Sequence, residues 1–456
     1  MFRFKTLLLA GITFASIAAT PAFAADKTDR VRVIYTFCRH SGCPDGSGPE
    51  PSLTLDAAGN LYGAARGGGN LGCGTYGCGL AFELTPGTNG KWTETVLHEF
   101  GPNGSGGARG PSSLAFDSAG NLYGAFEFAG GYCDQDGDSG EVFKLTPKER
   151  GRWSLKILFA FAGTLGCGPV GGLVIDSAGN LYGATISGGY GTCDELGDPC
   201  GTVFEGSPGE NGQWTVTFPF AFDKTDGAQP VGALLFDAAG NLYGSSGGGG
   251  PVNGYCLEPY LACGTIFRLN PKADGKWRLT NLHYFGDGFR GSQPNGYLIF
   301  DSEGNLYGTT YSGGTDQSCT TFYVGPGCGT AFELIHDAEG HWTEKVLHDF
   351  KNDGKDGYHP NGGLVIDKSG NIYGTTSQGG AGNCDWGGEP GCGTVFKLTH
   401  GADGEWTETV LHRFGNSPND GALPFAGLVS DANGNMYGTT VEGGEPNQGT
   451  VFQITP

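Results

Sequence analysis

The chain has 456 residues and a formal net charge of −21 at pH 7, with 26 basic against 47 acidic side chains. A nucleic acid or an anionic membrane is bound through a basic surface, so this balance argues against both as partners. There are 14 cysteines and no C-x-x-C pair, which favours disulfides over a zinc site.

The N-terminal segment has the pattern of a secretory signal peptide. Basic Arg3 and Lys5 precede an apolar run over residues 7–19, followed by small residues that suit signal peptidase. No later stretch approaches the roughly 20 apolar residues needed to span a bilayer. We expect residues 1–24 to be a signal peptide and residues 25–456 to form one domain, secreted or periplasmic, without a transmembrane segment.

After this segment the chain is repetitive. The string D-x-x-G-N-[LIM]-Y-G occurs seven times at a spacing of 59 to 66 residues, beginning at Asp56, Asp117, Asp176, Asp237, Asp301, Asp367 and Asp431. Each unit contains four short β-rich runs, which in the sixth unit are residues 363–367, 371–376, 393–398 and 406–414. Gly, Pro, Asp and Asn clusters separate the runs, and none has a helical period. The pattern predicts an all-β fold, a seven-bladed β-propeller with four antiparallel strands per blade.

The two ends of the repeat array complement each other. The seventh unit stops after residues 449–454 and lacks its fourth run, whereas residues 31–37 match that missing run and precede the first unit. We therefore predict that the N-terminal strand completes the last blade and closes the ring, which would leave no exposed strand edge.

Three residue types recur at fixed repeat positions, and we interpret all three as structural. The Asp of D-x-x-G-N is expected to cap turn amides, and its Gly to take a positive φ. His98, His283, His348 and His412 share a position with aromatic residues in other blades, which indicates packing rather than metal binding. Six tryptophans are predicted to pack in the core or between blades: Trp92, Trp153, Trp214, Trp277, Trp342 and Trp406.

The loops predict which face carries function. With strands named a to d from the axis outward, the a–b and c–d connections are short, and the b–c and d–a loops are long and variable. Variable loops on a rigid scaffold are the usual place for binding. The cysteines fall on this long-loop face, and the predicted disulfides are Cys38–Cys43, Cys73–Cys78, Cys133–Cys167, Cys193–Cys200, Cys256–Cys263, Cys319–Cys328 and Cys384–Cys392.

The end of strand b offers the candidate ligand-binding residues. Glu442, Arg66 and Glu127 belong to blades seven, one and two, which ring closure makes neighbours, while Tyr311 and Gln378 lie opposite. Two carboxylates beside an arginine would bind a polar ligand or, at suitable spacing, act as acid and base on a glycosidic bond. The alternative is a surface ion pair without function.

The blade-two loop contains alternating acidic residues, Asp134, Asp136 and Asp138, as in a calcium-binding loop. Ser139 replaces the expected glycine and Leu145 replaces the closing glutamate, so a solvated acidic loop is favoured, with calcium as the alternative. No cofactor is otherwise predicted. Nucleophile, zinc-protease and phosphate-loop motifs are absent from the sequence, so no catalytic residue is assigned.

The strings D-x-x-G-N-L-Y-G-T-T, C-G-T-V-F-K-L-T and W-T-E-T-V-L-H-x-F resemble the bacterial choice-of-anchor tandem repeat family called GloVer. The resemblance covers essentially the whole chain after the signal. It implies an exported repeat protein and brings no catalytic residues with it.

Three functions are compatible with these features. We favour a monomeric, non-catalytic binding propeller that engages a glycan or protein at the cell envelope through the long-loop face. The alternatives are a carbohydrate-active hydrolase or lyase with acidic residues near the central funnel, and a structural cell-surface protein stiffened by disulfides.

Overall fold

The computed structural model describes residues 30–69, 77–101, 111–127, 140–161, 166–189, 200–250, 263–273, 276–286, 290–319, 326–380, 382, 384–386 and 389–456. The predicted signal peptide lies outside these residues. Within them the regular structure is β, apart from one 3₁₀ turn at Glu149–Gly151. Among the described residues, no helix combines the length and apolar character that crossing a bilayer requires.

Seven antiparallel sheets of four strands form a ring, which confirms the seven-bladed propeller. In order from strand a to strand d, blade one contains Thr54–Leu55, Leu61–Ala65, Leu80–Pro86 and Trp92–Glu99, and blade two contains Ala115–Phe116, Leu122–Phe126, Glu141–Pro147 and Trp153–Ala160. Blade three contains Cys167–Ile175, Leu181–Ser187, Thr202–Pro208 and Trp214–Ala221, and blade four contains Ala228–Phe236, Leu242–Gly248, Thr265–Pro271 and Trp277–Tyr284.

In blades five and six, strand a is split into two short segments that pair with the same strand b. Blade five contains Ser292–Pro294 with Ile299–Phe300, then Leu306–Ser312, Thr330–His336 and Trp342–Asp349. Blade six contains Gly357–Pro360 with Val365–Ile366, then Ile372–Gly379, Thr394–His400 and Trp406–Arg413. Its b–c loop adds a small hairpin of Asp385–Trp386 and Glu389–Pro390.

The N-terminal strand closes the ring as predicted. Blade seven contains Val429–Ser430, Met436–Thr440, Thr450–Thr455 and, as strand d, Arg30–Thr36, with a further pairing of Gly421–Ala422 to Glu442–Gly443. Arg30 lies opposite Thr455 in this antiparallel pair. Phe37, fully buried, then packs edge-on against Phe82 of blade one at 5.1 Å between ring centroids. The terminal strand therefore joins the last blade to the first.

The core consists of layers between neighbouring blades. The tyrosine of the D-x-x-G-N-x-Y string packs edge-on against the tryptophan that begins strand d of the next blade, as in Tyr62 with Trp153 and Tyr437 with Trp92. This contact confirms the predicted inter-blade role of the tryptophans. The glycine after each tyrosine leaves room for a strand-c phenylalanine: a Cβ on Gly63 would lie 2.6 Å from the Phe82 ring.

Candidate functional site

The short turns that mark one face are structural throughout. In the first of them Asp56 Oδ1 accepts hydrogen bonds from the amides of Ala58 and Asn60, and Oδ2 accepts from the Asn60 side chain. Gly59 has a φ of 85°. The same aspartate contacts recur in the other six repeats, so the prediction for these aspartates is confirmed.

A cavity of about 260 Å³ lies on the propeller axis. Arg66 and Glu127, which directly follow strand b of blades one and two, line it. Since strand b leads into the long b–c loops, the cavity lies at the long-loop face. A larger cavity of about 700 Å³ between blades five and six is lined by the short turns, whose Asp301 and Asp367 are engaged in capping.

One repeat position forms the wall of the axial cavity. Each blade contributes one buried leucine to the core, located within strand a or immediately before a strand-a segment: Leu53, Leu114, Leu173, Leu234, Leu298, Leu364 and Leu428. The residue three positions earlier lines the cavity in all seven blades, and we call these residues the axial ring: Glu50, Pro111, Val170, Val231, Asn295, Asn361 and Phe425. Because every blade supplies the equivalent residue, the cavity must lie on the symmetry axis of the repeat.

The axial ring has two chemically different halves. Blades two, three and four contribute Pro111, Val170 and Val231, which are apolar. The other arc contributes amides, an aromatic ring and a carboxylate, and its Asn295 side chain donates a hydrogen bond to Asn361. One arc of the axial ring is therefore apolar, and the other carries most of the ring's polar groups.

A tyrosine connects two blades across the axial cavity. The Tyr297 hydroxyl of blade five lies 2.9 Å from Ser113 Oγ of blade two. Ser113 Oγ accepts the Ser52 amide at 3.2 Å, and Ser52 Oγ accepts the Gly427 amide at 3.0 Å. This chain of hydrogen bonds links four blades across the axis.

The structure brings some of the predicted ligand-binding residues together and separates others. Arg66 and Glu127 line the axial cavity, whereas Tyr311, Gln378 and Glu442 do not belong to its lining. Counted from the glycine after the repeat tyrosine, Arg66, Glu127 and Tyr311 occupy the third position. Gln378 and Glu442 occupy the fourth position.

Successive side chains of a strand point to opposite sides of the sheet. The one-residue offset therefore turns Gln378 and Glu442 away from the side on which Arg66 and Glu127 lie. Gln378 pairs across the sheet with Tyr358 and is 3% exposed. Glu442 pairs with Ala422. Tyr311 stacks on His359 at 4.3 Å between ring centroids.

Sequence reasoning missed the ion-pair partner of Arg66. The guanidinium pairs with Glu50 of the axial ring rather than with a glutamate from strand b. The signal that could have found it is the variable residue three positions before the core leucine, seen in Pro49-Glu50-Pro51-Ser52-Leu53 and in later blades.

The strand-d histidines pack as predicted, but three of them also have carboxylate partners. His98, His283, His348 and His412 each contact the phenylalanine two residues later edge-on. His348 Nε2 lies 3.0 Å from Asp356, and His412 Nε2 lies 3.0 Å from Asp420. His283 Nε2 lies 3.3 Å from Glu344.

Three of the predicted disulfides are fully described and confirmed: Cys38–Cys43, Cys319–Cys328 and Cys384–Cys392. Cys78, Cys167, Cys200 and Cys263 are also disulfide-bonded. Their predicted partners lie outside the described residues: Cys73, Cys133, Cys193 and Cys256. The acidic loop of Asp134, Asp136 and Asp138 lies outside them too, so calcium binding there stays a prediction.

In two of the loop disulfides, which we call staples, the second cysteine also contacts the next blade: Cys319–Cys328 and Cys384–Cys392. The carbonyl of Cys392 accepts a hydrogen bond from the Leu423 amide at 2.8 Å, and that of Cys328 accepts one from the His359 amide at 2.9 Å. Leu423 and His359 have φ values of 58° and 54°. Each is followed by a proline and then by a residue of the axial ring. The staples thus hold the backbone that leads into the axial ring.

A sequence profile described as the Gloeobacter/Verrucomicrobia repeat matches residues 72–257, 190–383 and 320–456. The matches together run from residue 72 to residue 456, more than half of the chain, and agree with the resemblance to GloVer repeats. No curated protein matches the sequence.

Solved structures of similar fold share little sequence with this chain. A PQQ-bound aldose sugar dehydrogenase from Streptomyces coelicolor is 11% identical, with a TM-score of 0.44, and the match covers 94% of this chain and 98% of that one. A gluconolactonase from Xanthomonas campestris is 14% identical, with a TM-score of 0.39 and coverage of 93% and 89%. A luciferin-regenerating enzyme is 14% identical, with a TM-score of 0.38 and coverage of 94% and 95%.

Proposed function

We propose that this chain, which belongs to the Gloeobacter/Verrucomicrobia repeat family, is an exported, monomeric binding propeller that holds the end of a glycan in its axial cavity. The disulfides are compatible with a secreted or periplasmic protein. The glycan would enter from the long-loop face.

The observation that supports this proposal is the two-sided axial ring. A sugar ring presents C–H groups on its faces and hydroxyls around its edge, so a binding site needs apolar contact and hydrogen-bonding groups together. Pro111, Val170 and Val231 provide the apolar side, and Asn295 and Asn361 provide amides on the polar side. Small-molecule sites in proteins commonly combine an apolar wall with a few polar groups in this way.

The polar side chains of the cavity are already fixed by contacts within the protein, which suits them to holding a ligand. Arg66 is neutralised by its ion pair with Glu50, and the Tyr297 hydroxyl is engaged with Ser113. The wall segments are held by staples and inter-blade hydrogen bonds, which lowers the ordering cost of binding.

A carbohydrate-active enzyme is the second candidate, because Glu50 and Glu127 bring two carboxylates to the same cavity. A glycosidase needs such a pair on opposite sides of the scissile bond. Glu127 would then act as the acid or base, and its loss would abolish turnover while leaving binding measurable.

The test is a glycan array and titration with the oxidised protein, comparing Asn361→Ala and Phe425→Ala with the parent. We expect one class of glycan to bind and both variants to weaken binding at least ~10-fold, since each loses a wall contact. Glu442→Gln is the control, because Glu442 lies outside the cavity lining and its variant should bind normally.

Two outcomes would redirect the proposal. If no glycan binds, or if only the Glu442 variant weakens binding, the axial cavity is not a glycan site and a protein partner is favoured. If the bound glycan is cleaved by the parent but not by Glu127→Gln, the protein is an enzyme.

A further inference from the structure

A second cluster of polar groups lies far from the axis, at the outer edge of the interface between blades five and six. His348 is on strand d of blade five, Asp356 is in the following d–a loop, and Glu408 is on strand d of blade six. One nitrogen of the imidazole and one oxygen of each carboxylate all lie within 4.8 Å of one another. We propose that these three side chains bind one divalent transition-metal ion, with Zn²⁺ as the best fit.

The distances suit such an ion. With bonds of 2.0–2.2 Å from zinc to nitrogen and oxygen, neighbouring ligand atoms of a tetrahedral site are about 3.4 Å apart. His348 Nε2 and Asp356 Oδ2 are already 3.0 Å apart. Only a small movement of Glu408 is needed to complete three corners, and water takes the fourth. One imidazole with two carboxylates is a donor set that zinc accepts.

The carboxylate of Asp356 is held in place by the backbone. Its Oδ1 accepts the Gly357 amide at 2.7 Å, and its Oδ2 accepts the Lys351 amide at 3.1 Å. Outer contacts of this kind orient the ligands of protein metal sites. The side chain of His348 is 20% exposed and that of Asp356 is 10% exposed, which leaves a route for an ion from solvent.

Glu408 provides the second, independent observation. Its Oε1 is buried and has no hydrogen-bond partner, which is costly for a polar atom that no ion contacts. A cation between the three groups would remove this penalty.

Three other described interfaces of the same kind each lack one of the three ligands. Between blades six and seven His412 and Asp420 are paired, but Val31 occupies the position of Glu408. Between blades seven and one, Tyr35 replaces the histidine beside Asp45 and Glu94. Between blades four and five, His283 and Glu344 are present, but Arg290 stands where Asp356 would be.

The test is a Zn²⁺ titration of the oxidised, chelator-treated protein by calorimetry, with Glu408→Gln and His348→Asn as variants and His412→Asn as the matched control. We expect one equivalent to bind tighter than about 10 μM. Both variants should bind at least ~10-fold more weakly, and the control should bind like the parent.

A spectroscopic measurement covers a folding defect in either variant. One equivalent of Co²⁺ added to the unmutated protein should give the visible absorption of a low-coordinate site with nitrogen and oxygen ligands, and Zn²⁺ should displace it. A flat cobalt titration, or zinc binding that survives in both variants, overturns the proposal. Loss of zinc binding in an Asp134→Asn, Asp136→Asn variant instead would place the ion in the acidic loop and also overturn it.

Discussion

Single residues of this protein fall into those whose role is local and those whose role depends on residues distant in the chain. Asp56 caps a turn that includes Ala58 and Asn60, so its role follows from sequence spacing. Glu94 shows the second kind. It lies on strand d of blade one, and its environment is set by burial and by Asp45, which precedes strand a of the same blade. Nothing in the residues around Glu94 indicates that environment.

Glu94 predicts a dependence of stability on pH. Burial, and then the charge of Asp45, raise the pKa of Glu94 from 4.5 to about 7. The folded chain therefore binds this proton more tightly than the unfolded chain does. The resulting stabilisation is fully present below about pH 4.5 and is lost as the pH rises through about 7.

We expect Glu94→Gln to remove that loss. The variant should be more stable than the parent by about 1–2 kcal/mol at pH 8, after allowance for solvent screening, and nearly equal at pH 5. Denaturant midpoints at the two pH values measure this difference. Glu210→Gln, in an exposed turn, is the control and should show no such divergence; equal effects of the two substitutions would contradict the assignment.

At the scale of elements, the segment around the start of strand a combines two requirements. It supplies a core leucine and, three residues earlier, a residue of the axial ring. Between these two positions the innermost strands of adjacent blades approach closely. A Cβ on Gly362 would lie 2.2 Å from the carbonyl oxygen of Ala426 in the next blade. The small residues near the axis are therefore set by contacts between blades.

Gly362→Ala should consequently destabilise the protein by about 1–3 kcal/mol, because the two strands must separate to admit the methyl group. Gly247→Ala is the matched control on strand b of blade four, where the nearest atoms to an added Cβ are 3.6 Å away. Thermal unfolding of both variants measures the contrast. A Gly362 variant as stable as the Gly247 variant would show that the strands yield without cost.

The whole molecule depends on a strand that is distant in sequence. Arg30–Thr36 completes blade seven, and the buried Phe37 continues the contact into blade one. Without this segment, strand c of blade seven, Thr450–Thr455, would present an open edge. The ring is therefore closed by side-by-side pairing of the two ends of the array.

Removal of residues 30–37 should lower the unfolding temperature and promote association through the open edge. A synthetic peptide of residues 30–37 added in trans should restore the stability and reverse the association. Size-exclusion chromatography and thermal unfolding, with and without the peptide, measure both effects. A scrambled peptide serves as the control. A truncated chain that associates no more than the parent and is as stable would mean that the ring closes by other contacts.

Much of this protein is determined by its sequence, because seven copies of one unit repeat the same local information. The D-x-x-G-N turns, the four strands per blade, the staples of Cys319–Cys328 and Cys384–Cys392 and the ring closure all follow from spacing and end complementarity. The turns, strands and staples depend on residues close to one another in the chain. Ring closure depends on the N-terminal strand, for which the incomplete blade seven is the remaining partner.

The tertiary structure alone decided which residues meet at the axis and between blades. The axial cavity joins residues as distant as Glu50 and Phe425. Arg66 pairs with Glu50, which precedes strand a of the same blade, rather than with Glu127 or Glu442. The clustering of His348, Asp356 and Glu408 depends on the packing of blade five against blade six. These contacts depend on the angle between blades. They also depend on a one-residue offset in strand b, because side chains alternate along a strand and the offset therefore reverses the direction in which a side chain points.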